Sequence, residues 1–179
     1  MAIAPDEFQL EAIAQAHPIA AALFVPFVRE RLIRNDTSTE ATLAVRLRDI
    51  DVPGEQQRKL RLWWLPATAP AQPLGVAETT VTEWAALGLA CVVATVYGRM
   101  QIRAVTAQGD RFDYWLTRGE VDYGLEVSGT LTDEVEARHR VKVRQLRANP
   151  YGVDGFVVVA GFATREVIFS FHRFEETAS

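Results

Sequence analysis

The sequence predicts an α/β (α+β) fold, a layer of short strands covered by two long helices, and three observations carry that expectation. Apolar residues recur at helical spacing over Thr79–Tyr97 and again over Leu131–Asn149. Short runs rich in β-branched and aromatic residues lie between and after these stretches, separated by turns. From Thr79 onward the order is helix, strand, strand, strand, helix, strand, strand. Such an order suits helices packed on a sheet.

The first part of the chain reads as a helical segment and a hairpin. Over residues 6–34, Phe8, Ile13, Ile19, Leu23, Phe27 and Leu32 follow roughly helical spacing, in two pieces broken by Pro18 and Pro26. Asn35 and the three residues after it form a turn cluster. In Thr42–Leu47, Leu43, Val45 and Leu47 share one face, the pattern of a half-buried strand. Pro53 and Gly54 mark a turn, and Lys59–Leu65 returns with Leu60, Leu62 and Trp64 on one face. The proline-rich stretch Pro66–Pro73 cannot be regular structure. It divides residues 1–75, helices plus β-hairpin packed on the core, from residues 76–179, the α/β core.

Within that core, Thr80 or Thr82 is placed to cap the first helix, with Glu83 near its exposed N–H groups. Its apolar residues run almost all round, so protein should cover most of it. The three strands are Gln101–Thr106, Arg111–Thr117 and Tyr123–Gly129. The second helix takes Thr130 or Thr132 as its cap. It carries Asp133, Glu134 and Glu136 early and arginines from Arg138 to Arg147 late, the order its dipole favours. Phe156–Phe162 and Val167–Phe174 complete the set.

Composition narrows the function. A net charge of -4 excludes a strongly cationic nucleic-acid coat as a whole-molecule property. The lone Cys91 excludes an intrachain disulfide and a cysteine metal cluster. The first residues lack the basic start and apolar core of a secretory signal. The apolar runs Ile19–Val28 and Ala85–Tyr97 are too short to span a bilayer. A cytoplasmic protein without a membrane partner is therefore expected. The chain has 17 arginines and only two lysines, which makes Lys142 an uncommon choice at its position.

Asp113 and Glu126 are the residues with the clearest chemical potential. With Arg118–Val121 as a four-residue loop, Thr117 opposes Asp122, and counting back sets Asp113 opposite Glu126. Opposed residues of antiparallel strands share a face, with Cβ atoms about 5 Å apart. Two carboxylates that close repel, so they need a proton, a basic residue or a cation. Hard oxygen ligands suit Mg²⁺ or Mn²⁺, and Glu83 is a candidate third carboxylate. Ser128 lies on the face of Glu126. Val135, His139, Lys142 and Leu146 form a helical stripe whose polar middle can face the sheet. The plainer alternative is a hairpin with two exposed carboxylates paired to Arg103 or Arg138. For Arg138, Arg144 and Arg147, the alternatives are a solvated face and a phosphate-contacting ridge. His17, His139 and His172 show no zinc-site spacing.

This pattern resembles the PD-(D/E)XK nuclease superfamily, the restriction-endonuclease-like fold, over about half of the chain. The resemblance rests on helix–strand–strand–strand–helix–strand, with Asp113 in the second strand and Glu126 in the third. It implies a metal-dependent phosphodiesterase acting on nucleic acid. Asp113 and Glu126 would bind Mg²⁺ or Mn²⁺, with Glu83 from the first helix assisting. Ser128 stands where the family has its lysine, so the basic role passes to Lys142 or Arg138 on the following helix; otherwise the site is degenerate. The alternative from another class is a non-catalytic interaction module, a scaffold in a bacterial multi-protein assembly, whose partner is another protein or a second copy.

Overall fold

Strict alternation in residues 40–48 buries Ala41, Leu43, Val45 and Leu47 and exposes their neighbours, so this segment covers a core with one face only. The computed structural model describes residues 6–33, 37–66, 75–107, 109 and 111–174. Half of the turn cluster that begins at Asn35 and most of the Pro66–Pro73 stretch lie outside them. Among the described residues, the strands are β1 (Asp6–Gln9), β2 (Glu40–Arg48), β3 (Glu55–Trp63), β4 (Gln101–Val105), β5 (Tyr114–Arg118), β6 (Val121–Thr130), β7 (Gly155–Gly161) and β8 (Glu166–His172). The helices are α1 (Ile13–Ala16), α2 (Val25–Leu32), α3 (Glu78–Val93) and α4 (Val135–Arg147).

All eight strands form one mixed sheet in the order β1-β3-β2-β8-β7-β6-β5-β4. The hairpin of the first segment is continuous with the sheet, because β2 pairs in parallel with β8. β4, β5 and β6 form an antiparallel meander, and α4 then carries the chain to β7, parallel to β6. Parallel neighbours require such a crossover. The two long helices take opposite faces. Phe156, Val158 and Ala160 of β7 join the core that includes α3, whereas Val157 and Val159 pack with Val135 and Leu146 of α4. Covered on both sides, β7 is apolar throughout, as its Gly-Phe-Val-Val-Val-Ala-Gly sequence requires.

The sequence reading needs correction at several ends. Residues 6–9 form an edge strand parallel to β3, not the start of a helix. Short 3₁₀ turns and α1 follow before α2. His17 fastens this region to the rest. Its Nδ1 accepts the Ile102 N–H at 2.9 Å, and Nε2 lies 2.9 Å from the Cys91 carbonyl. Neither α3 nor α4 has a side-chain cap. Thr82 instead donates back to the Glu78 carbonyl. The α3 helix continues through a π-helical turn, Ala94–Gly98. Its 21 residues are long and apolar enough by length and composition to cross a membrane, but 67% of that apolar window is buried inside the fold.

Gly129 sets how closely α3 meets β6. A Cβ there would lie 2.7 Å from the Thr82 carbonyl oxygen and 2.9 Å from Thr82 Cγ2. Gly129→Ala should therefore force helix and strand apart and cost about 1–3 kcal/mol, read as a lower urea midpoint.

Candidate functional site

Along β6 the side chains alternate between the two helices. Leu125 and Val127 join the core on the α3 side, while Glu126 and Ser128 face α4. The α4 helix answers with Glu136, His139, Lys142 and Leu146, spaced by three or four residues and turned toward the sheet. Its contact with the sheet is thus polar in the middle and apolar at the ends, where Val135 and Leu146 are buried.

Asp113 sits in the bend just before β5. The β5–β6 register pairs Thr117 with Asp122, as counted from sequence, though the turn itself is only Gly119 and Glu120. Asp113 lies one residue outside that ladder, which ends with Tyr114 opposite Leu125, and so outside the strand expected to carry it. Its N–H donates to the Leu125 carbonyl at 2.9 Å, and its Oδ2 accepts the Val127 N–H at 2.9 Å. Two backbone contacts therefore hold the carboxylate over β6.

Glu126 is 3% exposed, and Lys142 reaches it from α4. The ammonium Nζ lies 2.5 Å from Glu126 Oε2 and 3.5 Å from Asp113 Oδ2. Burial, followed by the charge of Asp113, pushes the Glu126 carboxyl up to about 7, even though Lys142 pulls the other way. Burial alone would lower Lys142, but its bond to Glu126 and the charge of Asp113 outweigh it and hold the ammonium above its ordinary value. Tyr114 is pushed up to about 12 by burial and then by Asp113 and Glu83. An open cleft of about 390 Å³ exposes the trio, with Thr106, Arg111 and Gln145 on its walls. Two carboxylates beside one ammonium carry more negative charge than the lysine balances.

The other predicted site residues lie elsewhere. Glu83 is exposed, and among the described residues no three His, Cys, Asp or Glu side chains converge as a metal-ligand group. Glu83 therefore does not complete a three-carboxylate cluster with Asp113 and Glu126. Arg103 pairs with Asp122 at 3.4 Å, and Arg138 lies 3.5 Å from Ser128 Oγ. Lys142, rather than either arginine, is the partner of the carboxylates. Arg144 is exposed on α4, and Arg147 lines a different cavity, at the end of the sheet. None of Arg138, Arg144 and Arg147 lines the cleft of the trio.

Sequence reasoning missed a second constellation one turn before Lys142. His139 Nε2 lies 2.7 Å from Ser170 Oγ, which lies 2.8 Å from His172 Nε2. Burial, reinforced for His139 by Arg48, lowers both imidazoles to about 4, so both are neutral at pH 7. Arg48 donates to His139 Nδ1 at 3.5 Å. The chain of protons then follows: His139 Nε2–H donates to Ser170, and the Ser170 hydroxyl donates to His172. Glu136 bonds Arg48 and also Arg46, the latter at 2.5 Å. Arg48 is the main cause holding its carboxyl down to about 2. The signal in the sequence was Ser-Phe-His at 170–172, which puts both polar residues on one strand face. Ser170 is fully buried. Ser170→Ala should leave two imidazole nitrogens unsatisfied and cost about 1–3 kcal/mol in urea unfolding at pH 7.

Three polar couplings thus seat α4 on the sheet: Glu136 on β2, His139 on β8 and Lys142 on β6. They fix where the Lys142 ammonium is delivered. Comparison with protein-family models, curated proteins and solved structures finds no match for the chain.

Proposed function

We propose that Asp113, Glu126 and Lys142 form a divalent-cation-dependent phosphodiester-hydrolysing site on a restriction-endonuclease-like core, directed at nucleic acid. The observation that carries this reading is the ammonium of Lys142, which reaches both carboxylates from α4 while Ser128 occupies the strand position where the family has its lysine. The helix–strand–strand–strand–helix–strand–strand order and the parallel β6–β7 pair support the same core.

The residues present suit a hard cation. Both carboxylates offer oxygen donors, and Asp113 and Glu126 stand beside a single ammonium. When bound, Mg²⁺ or Mn²⁺ supplies an activated water and neutralises charge developing on the phosphate. Asp113 and Glu126 hold the ion, and the Val127 N–H orients Asp113. Lys142 contributes a positive charge to the scissile phosphate. Arg111 on the cleft wall is the arginine nearest to hand for a flanking backbone phosphate, and Arg138 and Arg144 are exposed on α4 outside the cleft.

One observation favours a second reading. Lys142 already makes an ion pair with Glu126 at 2.5 Å, so the same trio serves as a structural clamp in a non-catalytic scaffold. Incubation with single- and double-stranded DNA and RNA separates the two. The catalytic reading expects cleavage of at least one substrate in Mg²⁺ or Mn²⁺, abolished by EDTA and by Asp113→Asn. Folded protein that cleaves none of the four with either ion would leave the scaffold.

A further inference from the structure

A cavity larger than the cleft of the carboxylate trio lies elsewhere in the protein. It encloses about 610 Å³ at the end of the sheet, where β6 and β7 begin and β2 and β8 finish. Its lining shares no residue with that cleft. Tyr123 lines it from the side of β6 opposite Glu126, while Arg147 of α4 and His172 reach it from the other side of the sheet.

Its floor is aromatic. Tyr123, Phe156 and Phe171 form a cluster with ring centroids 5.1, 5.2 and 6.3 Å apart. Phe156 is buried, whereas Tyr123 and Phe171 keep part of their surface open. Partly open rings backed by a buried one offer a face on which a further ring can stack.

Its rim is cationic. Three guanidiniums come from three separate elements: Arg118 at the end of β5, Arg147 at the end of α4 and Arg173 just after β8. Two acids also line the cavity, and both are engaged. Asp51 pairs with Arg118 at 2.8 Å, and Asp49 Oδ1 accepts the Gly54 N–H at 2.8 Å within its own turn. His172 also lines the cavity. Its Nε2 accepts the Ser170 hydroxyl, which leaves the proton on Nδ1 as a donor. Guanidiniums match carboxylate and phosphate oxygens geometrically.

We propose that this cavity binds a planar aromatic ring bearing an anionic group, a nucleoside monophosphate or an aromatic carboxylate, with the ring on Tyr123 and Phe171 and the anion at Arg173. The site is independent of the chemistry proposed for Asp113, Glu126 and Lys142. Calorimetric titration of the whole chain with adenosine 5′-monophosphate, 1-naphthoate, adenosine and inorganic phosphate tests it. At least one of the first two should saturate with a Kd at or below roughly 1 mM. Adenosine and phosphate, each lacking one half of the ligand, should bind at least about tenfold more weakly. Saturation by the nucleotide alone identifies a nucleotide site, and by naphthoate alone an aromatic carboxylate site. Arg173 is exposed, so Arg173→Glu keeps the fold, and it should weaken binding by about tenfold or more. Asp113→Asn should leave binding unchanged. Absence of saturation by both aromatic anions, equal binding of phosphate, or indifference to Arg173→Glu would overturn the proposal.

Discussion

Lys142→Met will destabilise the fold by about 3–5 kcal/mol at pH 7, the cost of removing one partner from a buried ion pair. Glu126 has almost no contact with water, and Asp113 stands beside it. Without the ammonium, the folded chain must hold two adjacent carboxylates or take up a proton. Adding Glu126→Gln to Lys142→Met should restore much of the loss, because the remaining Asp113 is half-exposed and tolerates its own charge. Urea unfolding of the four proteins in this cycle measures the coupling directly. Additive losses would show that Lys142 and Glu126 do not interact.

The same carboxyl sets a pH dependence in the metal-free protein. Glu126 rises from 4.5 to about 7 on folding, so the folded state binds the extra proton. Its contribution to stability is complete below pH 4.5 and is lost as pH rises through about 7. His139 and His172 act oppositely. Their lowered values make stability fall as pH drops from 6.5 toward 4. The difference between wild type and Glu126→Gln isolates the Glu126 slope. In EDTA, the wild type should lose stability relative to the variant as pH rises from 5 to 7.5.

Glu126→Gln will also weaken Mn²⁺ binding by at least about 100-fold, since loss of a ligand should reach the upper end of the effect seen for supporting partners. Hydrolysis should fall with it. At pH 5, where wild-type Glu126 is largely protonated, the glutamine should change stability little. A large loss of ion binding with an intact fold distinguishes a metal ligand from a structural acid. Isothermal titration with Mn²⁺ and a melting curve on one preparation give both numbers. Equal Mn²⁺ affinities in wild type and variant would remove Glu126 from the ion site.

Periodicity made much of the architecture legible. The all-apolar β7 and the alternating β2 each state how many faces they bury, and these patterns need only local sequence. The nearness of Asp113 to Glu126 was legible only in part: the hairpin register holds from its turn to Tyr114 opposite Leu125, whereas Asp113 sits in a bend held by its own bonds to Leu125 and Val127. Strand β1 was hidden, since four residues at a sheet edge cannot outweigh the apolar spacing of Phe8 and Ile13 that mimics a helix. Pairing between β2 and β8 joins residues more than 120 apart, and nothing local encodes it. The helix starts were misread because Thr82 and Thr132 bond elsewhere instead of capping. Lys142 was visible as part of an inward stripe, but its choice of Glu126 over bulk water depends on the seating of α4. That seating rests on Glu136 with Arg46 and Arg48, and on His139 with Ser170, contacts that span 31 to 90 residues. The aromatic and arginine residues of the larger cavity come from five strands and loops and α4, so no window of sequence contains them.

Anomalous diffraction from crystals soaked in Mn²⁺ addresses the carboxylate pair without assuming a substrate. A peak between the Asp113 and Glu126 carboxylates, absent from Glu126→Gln crystals treated identically, is the expected result. Featureless density there at saturating Mn²⁺, with Lys142 still bound to Glu126, would contradict a cation site and leave the trio as a clamp between α4 and β6.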